Sequence, residues 1–196
     1  MEQNQIKPED IYERNEYINK RPQLRKEIVT RKRKRRIDVG PYVTLYFENR
    51  DTIVHQINEM VFIENGGQEQ IKEEILAYKS LIPNGKELIA TVMVEIDNPL
   101  KRSEILSKMG GFEETFIIKI GDTMIKGKAE LDVDRTTADG KASSVQFVHF
   151  DFKEEDIKEF RNSHTKVELS INHQAYAHST ILQDETKNEL SLDFIG

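Results

Sequence analysis

From residue 86 to the C-terminus the chain alternates apolar and polar residues with period two, and short turn-rich segments separate the runs. Period two places one face of each run toward a core and the other toward water, which is the pattern of half-buried β-strands. Runs at 87–96, 115–120, 124–133, 143–152, 167–171 and 176–182 have this character. Gly121-Asp122-Thr123 and Asn172-His173-Gln174 have hairpin-turn chemistry. Two helical stretches interrupt the strands. One runs over 99–109 and is closed by Gly110-Gly111; the other runs over 153–162 and is entered by Glu154-Glu155-Asp156. Residues 135–142 read as a polar loop and 184–192 as a final helical turn.

The N-terminal half has a different period. Residues 8–36 read as helical, with an acidic entry at Pro8-Glu9-Asp10 and a break at Pro22 that divides the stretch into two helices. Their apolar stripe is sparse: Ile11, Tyr12, Ile18, Leu24 and Ile28. Residues 37–47 are rich in β-branched and aromatic side chains and read as one strand kinked at Gly40-Pro41. A helix capped by Asn49 or Asp51 then runs to about residue 65, with Ile53, Val54, Ile57, Met60 and Val61 on one face. Gly66-Gly67 ends it, and a helix over 68–82 completes a helical hairpin. The expected class is α+β, with N-terminal helices and a helical hairpin packed on a mainly antiparallel sheet of about six strands. Residues 1–36 form a helical arm carrying a basic run, and 37–196 form a body integrated with it.

Charge narrows the function classes. The chain has 29 Lys+Arg against 35 Asp+Glu, a net of −6. Residues 20–36 hold ten cations and one acid, so the remainder, with 19 cations and 34 acids, stands at −15. The absence of cysteine excludes disulfides, thiolate zinc, cysteine-ligated iron–sulfur clusters and a cysteine nucleophile. No apolar run is long enough to span a bilayer and the first residues lack a signal-like apolar core, so a cytoplasmic protein is expected. Phosphate-binding glycine motifs and the Gly-x-Ser-x-Gly elbow are absent.

Three constellations remain. Arg31, Lys32, Arg33, Lys34, Arg35 and Arg36 are six consecutive cations, and such a run can bind phosphates. Consecutive residues sweep around a helix, no aromatic is interleaved, and an acidic body repels a polyanion. Nucleic-acid binding through 20–36 is therefore a second alternative to neutralisation of the body or docking on an acidic protein. The second constellation is Asp51, His55 and Glu59, spaced i, i+4 and i+8 on one helix. With Glu48 they offer carboxylate and imidazole ligands for Fe, Zn or Mn, but only half of what a helical di-metal site needs. No cofactor is expected, and metal binding or a metal-dependent enzyme is the first alternative function. The third is His149, His164, His173 and His178, none of which has a nucleophile at a telling offset.

The run Arg35-Arg36-Ile37-x-Val39-Gly40-Pro41-x-x-Thr44-Leu45-x-Phe47-Glu48-Asn49-Arg50-Asp51-Thr52, followed by Gln56-Ile57-x-Glu59-Met60, resembles the uncharacterised bacterial domain-of-unknown-function family 3501. Ser144-Val145-Gln146-Phe147-Val148 and His173-x-x-Tyr176 resemble its C-terminal signatures. The resemblance implies no defined activity. It does imply association with rubrerythrin and an iron–sulfur, heterodisulfide-reductase-like oxidoreductase, near which such proteins are often encoded. The residues it points to as a polar site are Glu48, Asn49, Arg50, Asp51, Gln56 and Glu59. A strand end followed by a helix start gathers a carboxylate, an amide and a guanidinium beside free backbone N–H groups. Such a junction either binds an anion or locks strand to helix. The expected function is a non-enzymatic accessory protein that binds a protein partner, with rubrerythrin or an iron–sulfur oxidoreductase as the implied partner.

Overall fold

The structure is a computed structural model that describes residues 5–130 and 140–195. It is α+β and antiparallel throughout its paired strands, which divide into two sheets rather than one. The first sheet has the order β1 (Arg36–Val39), β2 (Val43–Glu48), β3 (Glu87–Val94), β7 (Val145–Asp151), β6 (Lys128–Ala129). The second has the order β5 (Thr123–Lys126), β4 (Phe116–Ile120), β8 (Val167–His173), β9 (Tyr176–Ile181). Alternate residues of both, such as Leu45, Phe47, Val92 and Phe150 from one and Phe116, Ile118, Leu169 and Ile171 from the other, share one core. The remaining face of the first sheet is covered by helices. Ile89 and Phe147 pack there with Ile53, Ile57 and Val61 of α2 (Arg50–Ile63) and Ile71 of α3 (Gln68–Ala77). β3 is therefore buried on both sides, which explains its near-continuous apolar run.

Local chemistry sets the joints. The kinked strand expected over 37–47 is a hairpin, with Val39 paired to Val43 across a turn at Gly40. Gly40 has φ +71, and a Cβ there would sit 2.6 Å from the Tyr176 hydroxyl. The run 124–133 is cut at Gly127, where a Cβ would lie 2.5 Å from Val148 Cγ1. There β5, paired with β4, gives way to β6, paired with β7, so the chain passes from one sheet to the other. Residues 131–133 of that expected strand, and 135–139 of the expected loop, lie outside the described residues. α2 ends on Asn65, held at φ 56, rather than on Gly66; asparagine tolerates the left-handed region better than other side chains do. The helix expected over 68–82 stops at Ala77 and continues as a 3-10 turn at Lys79–Leu81.

α1 (Arg14–Lys34) is one helix, not two, with Pro22 inside it. Proline leaves the carbonyl of Ile18 without its helical donor, and both residues lie at exposed positions, where that loss is least costly. Ion pairs on either side hold the helix to the body: Arg21 to Glu59, and Arg31 to Asp51. Tyr17, Arg21, Leu24, Ile28, Arg31 and Arg35 recur at alternating spacings of four and three, and this sheltered stripe faces the body. Arginine occupies three of those six positions, so the helix carries a packing face without an apolar one. α4 (Pro99–Leu106), α5 (Glu154–Arg161) and α6 (Asp184–Ser191) complete the chain. α6 extends the expected final turn to a full helix, and Phe152, Phe160 and Phe194 form an aromatic cluster beside it.

Candidate functional site

β2 ends at Glu48 and α2 begins at Arg50, so the sharp reversal between them rests on Asn49. Asn49 caps the helix. Its side-chain oxygen accepts from Thr52 N–H at 3.0 Å, and its own N–H donates to Thr52 Oγ1 at 2.9 Å. The Thr52 hydroxyl donates to Glu48 Oε2 at 2.5 Å, and the Thr91 hydroxyl on β3 donates to Glu48 Oε1 at 2.7 Å. This is the strand-to-helix lock, and it uses neutral donors on a carboxylate that is 8% exposed.

The six polar residues singled out by sequence turn to several partners, and Asn49, Arg50 and Asp51 line one cleft of about 240 Å³. Asn49 is consumed in the cap. Arg50 turns toward the N-terminal segment and pairs with Asp10 at 2.6 Å; Asp51 pairs with Arg31. Glu59 accepts from Arg21 Nε at 2.7 Å, from Arg21 Nη2 at 2.8 Å and from the Tyr17 hydroxyl at 2.7 Å. The Arg21 guanidinium holds the Glu59 carboxyl down to about 2, while burial pushes the Tyr17 hydroxyl up. Glu48 and Gln56 do meet, along a groove of about 390 Å³ between the outer face of the first sheet and the helices. Tyr46, Met93, Val145 and Phe147 of the sheet line it, with Ile53 of α2, Tyr78 and Leu81 beyond α3, and Lys32 of α1.

The proposed metal ligands are drawn to different partners. Asp51 is engaged by Arg31 and Glu59 by Arg21; His55 and Asp51 line one cleft of about 420 Å³ together with Arg31, Tyr17, Leu24 and Ile28. Burial holds the His55 imidazole below its ordinary value, with the cations Lys32, Arg25 and Arg21 acting the same way. Among the described residues no group of three His, Asp or Glu is gathered to hold a metal ion.

The basic run is spread over four surroundings. Arg35 is 1% exposed. It donates to the carbonyls of Phe47 at 2.9 Å and Glu48 at 3.1 Å, pairs with Asp193, and lies 3.6 Å from Glu189. Arg31 holds Asp51, Lys34 reaches Glu185 of α6 at 3.2 Å, and Arg36 pairs with Asp38 at 3.0 Å. Lys32 leans toward the Glu48 groove. Arg33 points outward and exposed, as do Arg25 and Lys26, with Val29 between them 65% exposed.

The C-terminal histidine and tyrosine signature is structural. The Tyr176 hydroxyl donates to the Val39 carbonyl at 2.7 Å and accepts from Tyr42 N–H at 3.0 Å and Val43 N–H at 3.2 Å, so it latches the β1–β2 hairpin to β9. His173 accepts from Ala175 N–H at 3.1 Å, and its other ring nitrogen donates to the Gly110 carbonyl at 3.1 Å. His149 lies 3.2 Å from Glu87, which raises its tendency to hold a proton. Sequence reasoning passed over that pair because its members lie on different strands. Tyr46, Thr91 and Met93 were missed for the same reason: strand register, not spacing, brings them to Glu48, and Tyr78 reaches the same groove from the end of α3. The available signal was period two in β2, which puts Tyr46 and Glu48 on the face opposite Leu45 and Phe47.

Residues 5–194 match the family described as a protein of unknown function, DUF3501, and the chain belongs to that family. No curated protein matches it. In structure it is similar to a novel protein of unknown function from Burkholderia pseudomallei, known from a crystal structure. The two share 24% identity and a TM-score of 0.89, over 97% of this chain and 99% of that one.

Proposed function

We propose that the protein is a non-catalytic accessory protein that docks an acidic protein partner along the outward face of α1. One observation carries this reading. The inward stripe of α1 is held to the body by internal pairs, while Arg25, Lys26 and Arg33 stand exposed around Val29 and make no ion pair among the described residues. A protein with a −15 body retains cations that its own carboxylates do not use, and it groups them with an exposed apolar side chain. That combination suits a partner surface with complementary charge and a small apolar contact, where charge sets the encounter and the register. No helix among the described residues is long and apolar enough to cross a membrane. The partner class we put first is the redox pair that the sequence resemblance implies, rubrerythrin or an iron–sulfur oxidoreductase.

The test is affinity capture from nuclease-treated lysate at low and moderate salt. The wild-type chain is compared with a variant carrying Arg25→Glu, Lys26→Glu and Arg33→Glu. The proposal expects one acidic protein retained at moderate salt by the wild type and lost from the variant, with equal thermal stability of the two. Equal retention by both would overturn it, as would retention of nucleic acid alone in a parallel capture from untreated lysate.

A further inference from the structure

Glu48 has a feature that the strand-to-helix lock does not need. The residue is more than nine-tenths buried, yet among the described residues the donors that reach its carboxylate are two hydroxyls, those of Thr52 and Thr91. A carboxylate at that depth ordinarily has a cation or several N–H donors beside it, because removal of its charge from water is unfavourable without them. Arg35 lies close by but donates to the Glu48 carbonyl and spends its charge on Asp193 and Glu189. Each carboxylate oxygen accepts one hydroxyl and keeps a further lone pair. Glu48 also lines the groove of about 390 Å³, beside Thr91 whose hydroxyl holds its carboxylate, and that volume is in the range of small-ligand sites. Tyr46, Tyr78 and Phe147 bring three aromatic rings to the walls, and Met93 adds an adaptable apolar side.

We infer that this groove binds a small organic monoamine, with its ammonium group on Glu48 and its apolar body among Tyr46, Tyr78, Met93 and Phe147. A primary ammonium supplies the charge-assisted donor that the carboxylate lacks, and the aromatic walls favour a cation and its apolar carbons together. Lys32, which also lines the groove, sets the second condition. Its positive charge disfavours a second ammonium group, so a monoamine or a zwitterion is accepted and a polyamine is rejected. This site is independent of the docking face of α1, since Lys32 is the part of that helix that lines it and Arg25, Lys26, Val29 and Arg33 do not.

The probe is 2-phenylethylamine, with phenylacetate, benzyl alcohol and spermidine as controls, read by ligand-observed saturation-transfer NMR on the full chain. The wild type is expected to bind the monoamine and to bind each control at least tenfold more weakly. Glu48→Gln keeps the shape and one accepted hydroxyl, reverses the other contact so that the amide N–H donates to the hydroxyl, and removes the charge; it is expected to weaken the monoamine at least tenfold. Met93→Trp fills the groove without touching the lock and is expected to abolish binding with Glu48 intact. Equal binding of the monoamine by wild type and Glu48→Gln overturns the inference. So does preference for phenylacetate or spermidine, or absence of monoamine binding to a wild-type chain that unfolds cooperatively.

Discussion

Protonation of Glu59 should loosen α1 from α2, and the size of the effect follows from the clamp. The carboxyl accepts three donors from α1, two from Arg21 and one from Tyr17, and its folded-state value lies at about 2 against an ordinary 4.5. At about 1.4 kcal/mol per unit this corresponds to roughly 3 kcal/mol. Water screens part of it, because the Glu59 and Arg21 side chains are 16% and 27% exposed, so about 2 kcal/mol is the expected contribution. The folded value is depressed, so the unfolded chain binds the proton first. The stabilisation is full above 4.5 and drains away as pH falls toward 2. His55 also faces this carboxylate, as do Tyr17 and Arg21, while the charges of Arg25 and Lys32 act on His55. Burial depresses the His55 value, so its own destabilising protonation begins as pH falls through its ordinary 6.5 and comes before that of Glu59. Urea denaturation of wild type and Glu59→Gln at neutral pH, pH 5 and pH 3.5 separates the two titrations. The expected gap is about 2 kcal/mol at neutral pH, nearly unchanged at pH 5 and clearly reduced at pH 3.5. A gap below about 0.5 kcal/mol at neutral pH, or one that does not narrow between pH 5 and pH 3.5, would refute this account of how α1 is held.

Two further substitutions probe the joints of the fold. Arg35→Ala leaves Asp193, whose carboxyl burial already pushes up against the pull of Arg35, without its buried partner. A loss of about 3–5 kcal/mol in chemical denaturation is expected, and a smaller loss for the same change made on an Asp193→Asn background. Tyr176→Phe removes one donor and one acceptor from the β1–β2 hairpin and should lower stability by about 1–3 kcal/mol, with hydrogen exchange accelerated at Tyr42 and Val43.

The class of the fold was legible because β3, β4, β7 and β8 announce themselves by period and β-branched content, and because α2 has an apolar face at helical spacing. The division into two sheets was not, since it depends on Gly127 passing under Val148, a contact between residues far apart in sequence. α1 was misread for a physical reason. Its packing stripe uses Arg21, Arg31 and Arg35 where most helices use leucine or isoleucine, and Pro22 sits at an exposed position. The block from Glu48 to Glu59 was legible as polar and functional-looking, but strand and helix geometry sends its members in different directions. Glu48 and Gln56 turn to the groove, Asn49 to the cap, and Arg50, Asp51 and Glu59 to separate ion pairs. Spacing along a chain reports which residues share a helix face; it does not report which arginine from another helix will claim them.

The most direct test of the docking account places a photo-crosslinking residue at Val29 on the outward face of α1, with a second chain carrying it at Met124 on β5 as the control. Both positions are well exposed, 65% and 64%, and lie on different elements of the molecule. The account predicts one acidic protein joined at position 29 and not at position 124, and its loss when Arg25, Lys26 and Arg33 are reversed in charge. No adduct at position 29, or the same adducts from both positions, would contradict it.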